Sequence, residues 1–461
     1  MPAPHKYVVF YRNLKGHYDL MLFLCKWDRN SRKEMIVTFL VFILFGYSLA
    51  TWNNVYDVIA MTIEASILVI QLGWPPSILP ADYRPFHDGV KYSVQTSTHI
   101  AYDELSFPMA RVYPAPAEAA LDFYNPMLAW MPCEESPLVS HKVNDFLMRR
   151  KTLPYREEMN ETNYIRSRHQ LRYIAIRVAN KVQNTRNLVK LEFYGMADAL
   201  MGDAPVIVRK SFYYNALLTA EAFRSRIFRD NLLGEKEVYT DLTTYFPVKK
   251  EMIDGQESMR FIQNFHKYVA GRIGVTTLML TENRRVAMFF QGSSKVVGAD
   301  KVNLGGSGSV DHADLERAGH PDDLREVITY AMARELCEAA GMEKWLEVVR
   351  RNTTMTGFFR WIDRCGHPEF IGITHARNIP FSKQHAVDGD EVIRYDEIPV
   401  TIETLDDFCK VMDYIRDHKI NVALASLMAL HRMTVIAGYA GKGASAEQKK
   451  IYQTVSAFVL G

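Results

Sequence analysis

Three adjacent side chains have the types and spacing for chemistry on a diphosphate. Glu335 and Glu338 stand three residues apart, with Arg334 beside them. On a helix, positions i and i+3 share a face. Clustered carboxylates hold a hard cation such as Mg²⁺ through oxygen, and such an ion keeps waters and shares itself with substrate phosphates. It can activate water and neutralise charge developing on a diphosphate. Ala339 lies on the same face, one turn from Glu335, where a third carboxylate would complete the cluster. Two glutamates at this spacing are also routine decoration of a solvated helix.

The element that must carry these residues runs from Leu324 to Ala340. It has helix formers, no Pro or Gly, and apolar Val327, Ile328, Ala331 and Leu336 on roughly one side. Gly341 follows as a C-cap. Upstream, Asn303 to Val310 reads NLGGSGSV, a glycine-rich strand. Gly305, Gly306 and Gly308, with Ser309, are candidate ligand-binding positions, because a Cβ there would block close approach of a ligand. Asp311, His312 and Asp314 come next, with N-capping and turn chemistry as their first reading and metal or phosphate contact as the other. Val275 to Leu280 and Val286 to Gln291 flank Glu282-Asn283-Arg284-Arg285 as a hairpin. Phe358 to Ile362 and Phe370 to Thr374 make a second hairpin, with Glu369 at its mouth. Residues 403–417 and Val422 to Leu430 read as helices of a terminal cap.

From Gly319 to Met342 the chain resembles the signature box of the Nudix family: a glycine, five residues, a glutamate, seven residues, then Arg-Glu-aliphatic-x-Glu-Glu-x-Gly-aliphatic. Glu326 is followed after seven residues by Arg334, Glu335, Leu336, Glu338, Gly341 and Met342. Gly319 sits one residue early, with His320 in its slot, and Ala339 replaces the second glutamate of the family's pair. The resemblance covers roughly residues 272–380. It implies an α/β/α sandwich that binds nucleoside diphosphates linked to another group, with Mg²⁺ or Mn²⁺. It also implies that Arg334 orients the box by salt bridge and that Glu335 and Glu338 serve as metal ligand or base. The glycine strand would approach the diphosphate, and Glu369 would be a further acidic ligand to the metal. Loss of one carboxylate at Ala339 should weaken metal binding considerably, which leaves hydrolysis open while a nucleotide pocket can remain.

At 461 residues the chain has room for two or three domains, and net charge +2 gives no bulk attraction to polynucleotides. The five cysteines are scattered without a CxxC pair, against a disulfide framework or zinc site and in favour of a reducing environment. Residues 1–34 are basic. Met35 to Trp52 is uncharged, and Val58 to Trp74 is a second apolar run interrupted by Glu64 and Gln71. Aromatic residues near the ends, with Lys and Arg outside both runs and none in the turn, predict a two-helix transmembrane hairpin over 35–74 with both ends in the cytoplasm. Glu64 is then an intramembrane acid facing other helices or water, or, if the second run is interfacial, an acid that simply points to water. A signal peptide, a single span with one buried helix, and a buried soluble hairpin are the competing readings. Residues 75–137 hold ten of the nineteen prolines and read as an extended connector. Residues 138–271 read as an α+β part of the head. Strands are expected at Leu171 to Val178, Leu188 to Phe193 and Val206 to Tyr213, and helices at Asn215 to Leu233 and Glu257 to Val269. Residues 381–461 complete the chain as a helical cap.

The expected fold class is therefore α/β: an N-terminal two-helix transmembrane hairpin, then a Nudix-like α/β/α sandwich head with additional β-rich and helical segments. That architecture resembles the transmembrane-Nudix effectors of bacterial cyclic-oligonucleotide antiphage systems. The resemblance implies a two-pass protein of the bacterial inner membrane with its head in the cytoplasm. Its partners would be a nucleotide ligand (a cyclic oligonucleotide or a nucleoside diphosphate derivative), the lipid bilayer and further copies of itself, without polynucleotide. Nucleotide binding to the head would trigger membrane disruption. The alternative is a membrane-anchored Nudix hydrolase using Mg²⁺ on a nucleoside diphosphate derivative.

Overall fold

The computed structural model describes residues 92–96, 141–158, short pieces between 167 and 200, 204–231, 234–253, 256–261, 268–292, 301–319, 322–361, 364–377, 379 and 392–461. The hairpin expected over 35–74, with Glu64, lies outside the described residues, as does most of the proline-rich stretch. Among the described residues no helix is long and apolar enough to cross a membrane. The expectation of a membrane hairpin followed by a head is thus corrected: what the structure describes is a mixed α/β fold. Three of its longer helices carry Arg, Lys, Asp or Glu along their length.

The chain divides into two compact units, 1–97, 163–191 and 213–246 in one, 98–162, 192–212 and 247–461 in the other. The first unit contains an antiparallel sheet of Tyr92–Thr96, Ser225–Asp230 and Lys236–Asp241, with Ser225–Asp230 in the middle. The helix expected over 215–233 is only partly there. Helical structure runs from Tyr213 to Arg224, through a π turn and a 3₁₀ turn, and stops. From Ser225 burial alternates with period two, and Arg226 and Arg229 pair across the strand with Asp241 and Glu237. These cross-strand partners decide the conformation. Tyr173 and Ile174, inside an expected strand, are helical and fully buried.

In the second unit, Tyr155–Glu158, Val206–Phe212 and Glu192–Met196 form a three-stranded sheet centred on Val206–Phe212. Val248–Ile253 and Gln256–Phe261 form a hairpin, which takes up the start of the helix expected over 257–269. The Asp254-Gly255 pair between them is a strong hairpin signal in the sequence.

A seven-stranded mixed sheet forms the body of this unit. Its strands are β1 (Gly274–Leu280), β2 (Arg285–Gln291), β3 (Val302–Asn303), β4 (Ser307–Ser309), β5 (Thr353–Trp361), β6 (His367–His375) and β7 (Val392–Thr401). The order is β3-β2-β1-β6-β5, with β4 also beside β1 and β7 beside β2, and the β1–β6 pair is parallel. The helices are α1 (His141–Arg149), α2 (His312–Arg317), α3 (Leu324–Ala340), α4 (Leu346–Arg351), α5 (Asp407–Asp417), α6 (Leu424–Gly438) and α7 (Ala446–Leu460). Strand alternation sorts the core into two faces. Leu278, Leu280, Ile371 and Ile373 pack with Leu427, Leu430 and Met433 of α6. Val275 and Phe370 pack with Val327, Ile328 and Ala331 of α3, and Met279 and Phe289 with Leu336. The sheet therefore lies between α3 and α6.

Helix α6 is buried on nearly all sides, in keeping with its apolar character all round. Its buried cation, Arg432, donates to Thr356 O (3.0 Å), Tyr439 Oη (3.1 Å) and Asp145 of α1 (2.8 Å). Asn144 Oδ1 accepts from Phe358 N–H (2.7 Å) beside a bulge in β5. These bonds tie α1 to α6 and to the outer strand.

Candidate functional site

Helix α3 starts at Asp323, whose carboxylate accepts from the N–H groups of Arg325 (3.0 Å) and Leu153 (2.7 Å). It ends at Gly341, which takes the left-handed φ of 62° that a Cβ would penalise. Its inner face is sealed by Val327, Ile328, Ala331 and Leu336, which turns Arg334, Glu335 and Glu338 toward β4.

The glycine-rich stretch is two short strands, not one. Val302–Asn303 pairs with β2, and Ser307–Ser309 pairs with β1, so Gly305 and Gly306 form the crossing between them. A Cβ on Gly305 would collide with the backbone of Thr277, on Gly306 with the backbone of Leu336, and on Gly308 with the carboxyl of Glu335. The glycines thus let strand and helix approach each other. This close contact is internal, where the sequence suggested room for a ligand.

Strand β4 bonds to β1 along one edge. Along the other, Ser309 N–H donates to Glu335 Oε1 (3.1 Å) and Ser309 O accepts from Arg334 Nη2 (2.8 Å). Arg334 fills all five of its donor positions. Nε and Nη2 bind Asp314 (2.8 and 3.0 Å), Nη1 binds Glu335 (3.0 Å) and Glu338 (3.1 Å), and the remaining Nη2 donor takes Ser309 O. Asp311 lies 3.7 Å from the same guanidinium. Asp314 also accepts from Asp311 N–H (2.8 Å), the capping chemistry expected at the start of α2.

Four carboxylates thus surround one cation. Burial alone would lower the pKa of Arg334, but Glu335, Asp314 and Asp311 raise it above its ordinary value and keep it charged. Burial raises Asp311 to about 7, with Asp314, Glu335 and Glu338 adding to the rise against the opposing pull of Arg334. Glu338, half-exposed, is also raised, by desolvation first and then by Glu335.

Glu369 lies on the other face of the sheet. With His367 and Thr276 it alternates in step with Ile371 and Leu278, on the α6 side. It is buried over Gly274, its partner across the β1–β6 ladder. Thr276 Oγ1 donates to Glu369 Oε1 (2.8 Å) and lies 3.1 Å from Ser307 Oγ, while His367 Nε2 lies 3.5 Å from Glu369 Oε2. Burial pushes Glu369 up to about 7, with the nearby charge of Glu335 adding to the rise, against the donated bond from Thr276 and the charges of Arg364 and Arg272. Burial, then Arg272, Arg364 and Arg360, hold His367 well below its usual range. His367 is therefore neutral, and its contact with Glu369 is a polar contact between two groups that resist charging.

The expected metal set of Glu335, Glu338 and Glu369 is not gathered. Among the described residues no three His, Cys, Asp or Glu side chains are placed to hold a metal ion. Glu335 and Glu338 each give an oxygen to Arg334, Ala339 offers none, and Glu369, though within electrostatic reach of Glu335, projects from the α6 side of the sheet and takes its bond from Thr276. As arranged, these residues do not fit Mg²⁺ or Mn²⁺, because the cation at their centre is a guanidinium. Compared with known proteins, the chain matches no family model and no curated protein.

Sequence reasoning places Arg334, Glu335, Gly308 and Ser309 in one neighbourhood, and the structure joins them through the bonds above. It misses Asp314 as the chief partner of Arg334, and it misses His367, Thr276 and the arginines near them. The Asp311–Asp314 spacing is legible as a capping signature. Nothing local announces a bond between residues twenty positions apart.

Proposed function

We propose that the second unit is a Nudix-type head that binds a nucleotide signal, a cyclic oligonucleotide or another nucleoside diphosphate derivative, and that binding rather than cleavage is its task. The observation that carries this reading is the saturation of Arg334. The carboxylates that the family resemblance would give to a metal are bonded to that guanidinium, and the position of the third is Ala339. The placement of the box helix against Gly306 and Gly308 supports the Nudix part of the reading. The membrane setting expected for such a head rested on residues 35–74 and forms no part of this proposal.

A second reading, hydrolysis, is favoured by one observation: Glu369 is a buried carboxyl with a pKa near 7, where a general base is most effective. A panel of nucleoside diphosphate derivatives and cyclic oligonucleotides, tested by thermal unfolding and by phosphate release, separates the two. Stabilisation by a panel member without phosphate release is the expected outcome. Release that disappears in Glu369→Gln would establish the hydrolase instead, and neither stabilisation nor release with any member would overturn both.

A further inference from the structure

We infer that Ser307 Oγ is a nucleophile toward an activated phosphoryl group, and that Thr276 passes its proton to Glu369. The phosphoryl class rests on the reading of the second unit as a nucleotide-binding head; the reactivity of the hydroxyl does not. Transfer to Ser307 consumes one ligand per chain, so it goes beyond binding without making turnover the task of the head.

The side chains form one line across β4, β1 and β6. Ser307 is the ladder partner of Thr276, and its Oγ lies 3.1 Å from Thr276 Oγ1. Thr276 Oγ1 lies 2.8 Å from Glu369 Oε1, and His367 Nε2 lies 3.5 Å from the other carboxyl oxygen. Gly274 leaves them room, since a Cβ there would overlap both Glu369 and His367. Thr276, Glu369 and His367 are buried, whereas Ser307 is part-exposed, so the line meets solvent at its serine end. Gly308 faces Glu335, so Ser307, next along the strand, points away from the carboxylates around Arg334.

The protons give the line a direction. A threonine hydroxyl has one proton, and an ionised carboxylate only accepts. Thr276 therefore donates to Glu369, its nearer neighbour, and its oxygen accepts from Ser307. The lone pairs of Ser307 are left for an electrophile. As Ser307 Oγ bonds to phosphorus, the bond to the leaving group breaks and its electron pair departs with that group. The Ser307 proton moves to Thr276 Oγ1 while the Thr276 proton moves to Glu369 Oε1. Burial makes Glu369 a stronger base than an exposed carboxylate. A serine beside a threonine on adjacent strands is ordinary sheet pairing. Here the pair ends on a buried carboxyl, which places nucleophile, proton carrier and base within hydrogen-bond reach.

The test exposes the full-length chain to diisopropyl fluorophosphate, from which fluoride leaves, and follows the adduct by intact mass and peptide mapping. One adduct on Ser307 is expected, absent in Ser307→Ala. Thr276→Val keeps the shape and removes the proton carrier, and should slow labelling about a hundredfold, the scale of lost general-base catalysis. Thr276→Ser restores the hydroxyl and should recover most of the rate, a rescue that packing alone would not give. Should Thr276→Val fail to fold, Glu369→Gln takes its place with the same expected loss. No adduct on Ser307 overturns the inference, as does labelling at the wild-type rate in whichever of these two variants folds. If the nucleotide panel stabilises the protein while Ser307 stays unlabelled, the nucleophile is wrong and the binding head stands. If Ser307 is labelled while no nucleotide stabilises the protein, the nucleophile stands and the head reading is wrong.

Discussion

Glu369 shows how far a single side chain departs from its ordinary chemistry when a sheet buries it. Its carboxyl rises from 4.5 to about 7, with burial as the leading cause. Between those two pH values the folded protein holds more proton on this group than the unfolded chain does. Stability therefore falls as pH rises from about 4.5 to about 7, by a loss on the order of 3 kcal/mol, and stays lower above that. Asp311, also pushed to about 7, contributes with the same sign. Subtracting the stability–pH curve of Glu369→Gln from that of wild type isolates the Glu369 part. The expected difference slopes downward across that window, and a flat difference, measured by urea unfolding, would contradict the buried-carboxyl account. At this scale the sequence is partly legible. Glu335 and Arg334 carry a recognisable spacing, whereas His367 and Thr276 acquire their role only when β1 and β6 lie side by side in parallel.

The β4–α3 contact is the element-level feature that the glycines make possible. A methyl on Gly306 meets the backbone of Leu336, which cannot move aside, while a methyl on Gly308 meets the end of the Glu335 side chain. Gly306→Ala should cost about 1–3 kcal/mol by overpacking, and Gly308→Ala less, because a side chain can swing away. Urea midpoints for both variants check this, and equal losses would contradict the assignment. The elements most readable in the sequence are those that carry their own signals. Helix α3 has a capping aspartate, an apolar stripe and a terminal glycine, and the β1–β2 and β5–β6 hairpins have alternating apolar runs about polar turns. The misread segments lack that local consistency. Ser225–Asp230 continues an amphipathic pattern that suits a helix, yet its arginines pair with acids on the next strand. Strand β7, with Pro399 and several charges, gives little warning that it lies beside β2.

On the scale of the molecule, the stretch 272–380 covered by the family resemblance does not enclose its own core. Residues 392–438 bring β7 to one side of β2 and lay α6 across the face formed by Leu278, Leu280, Ile371 and Ile373. A fragment limited to 272–380 would leave that face in water. It should show no cooperative unfolding transition in urea, and a sharp transition by near-ultraviolet circular dichroism would refute this. The arrangement around Ser309 carries a consequence beyond the site. Short strands at a sheet boundary offer unpaired amides and carbonyls to any passing chain. Here Glu335 and Arg334 occupy both groups of Ser309, as an eighth strand would. The two side chains whose spacing suggests catalysis thus act as a blunt stop against intermolecular β-stacking, and a protein that had no further use for their chemistry would still have reason to keep them.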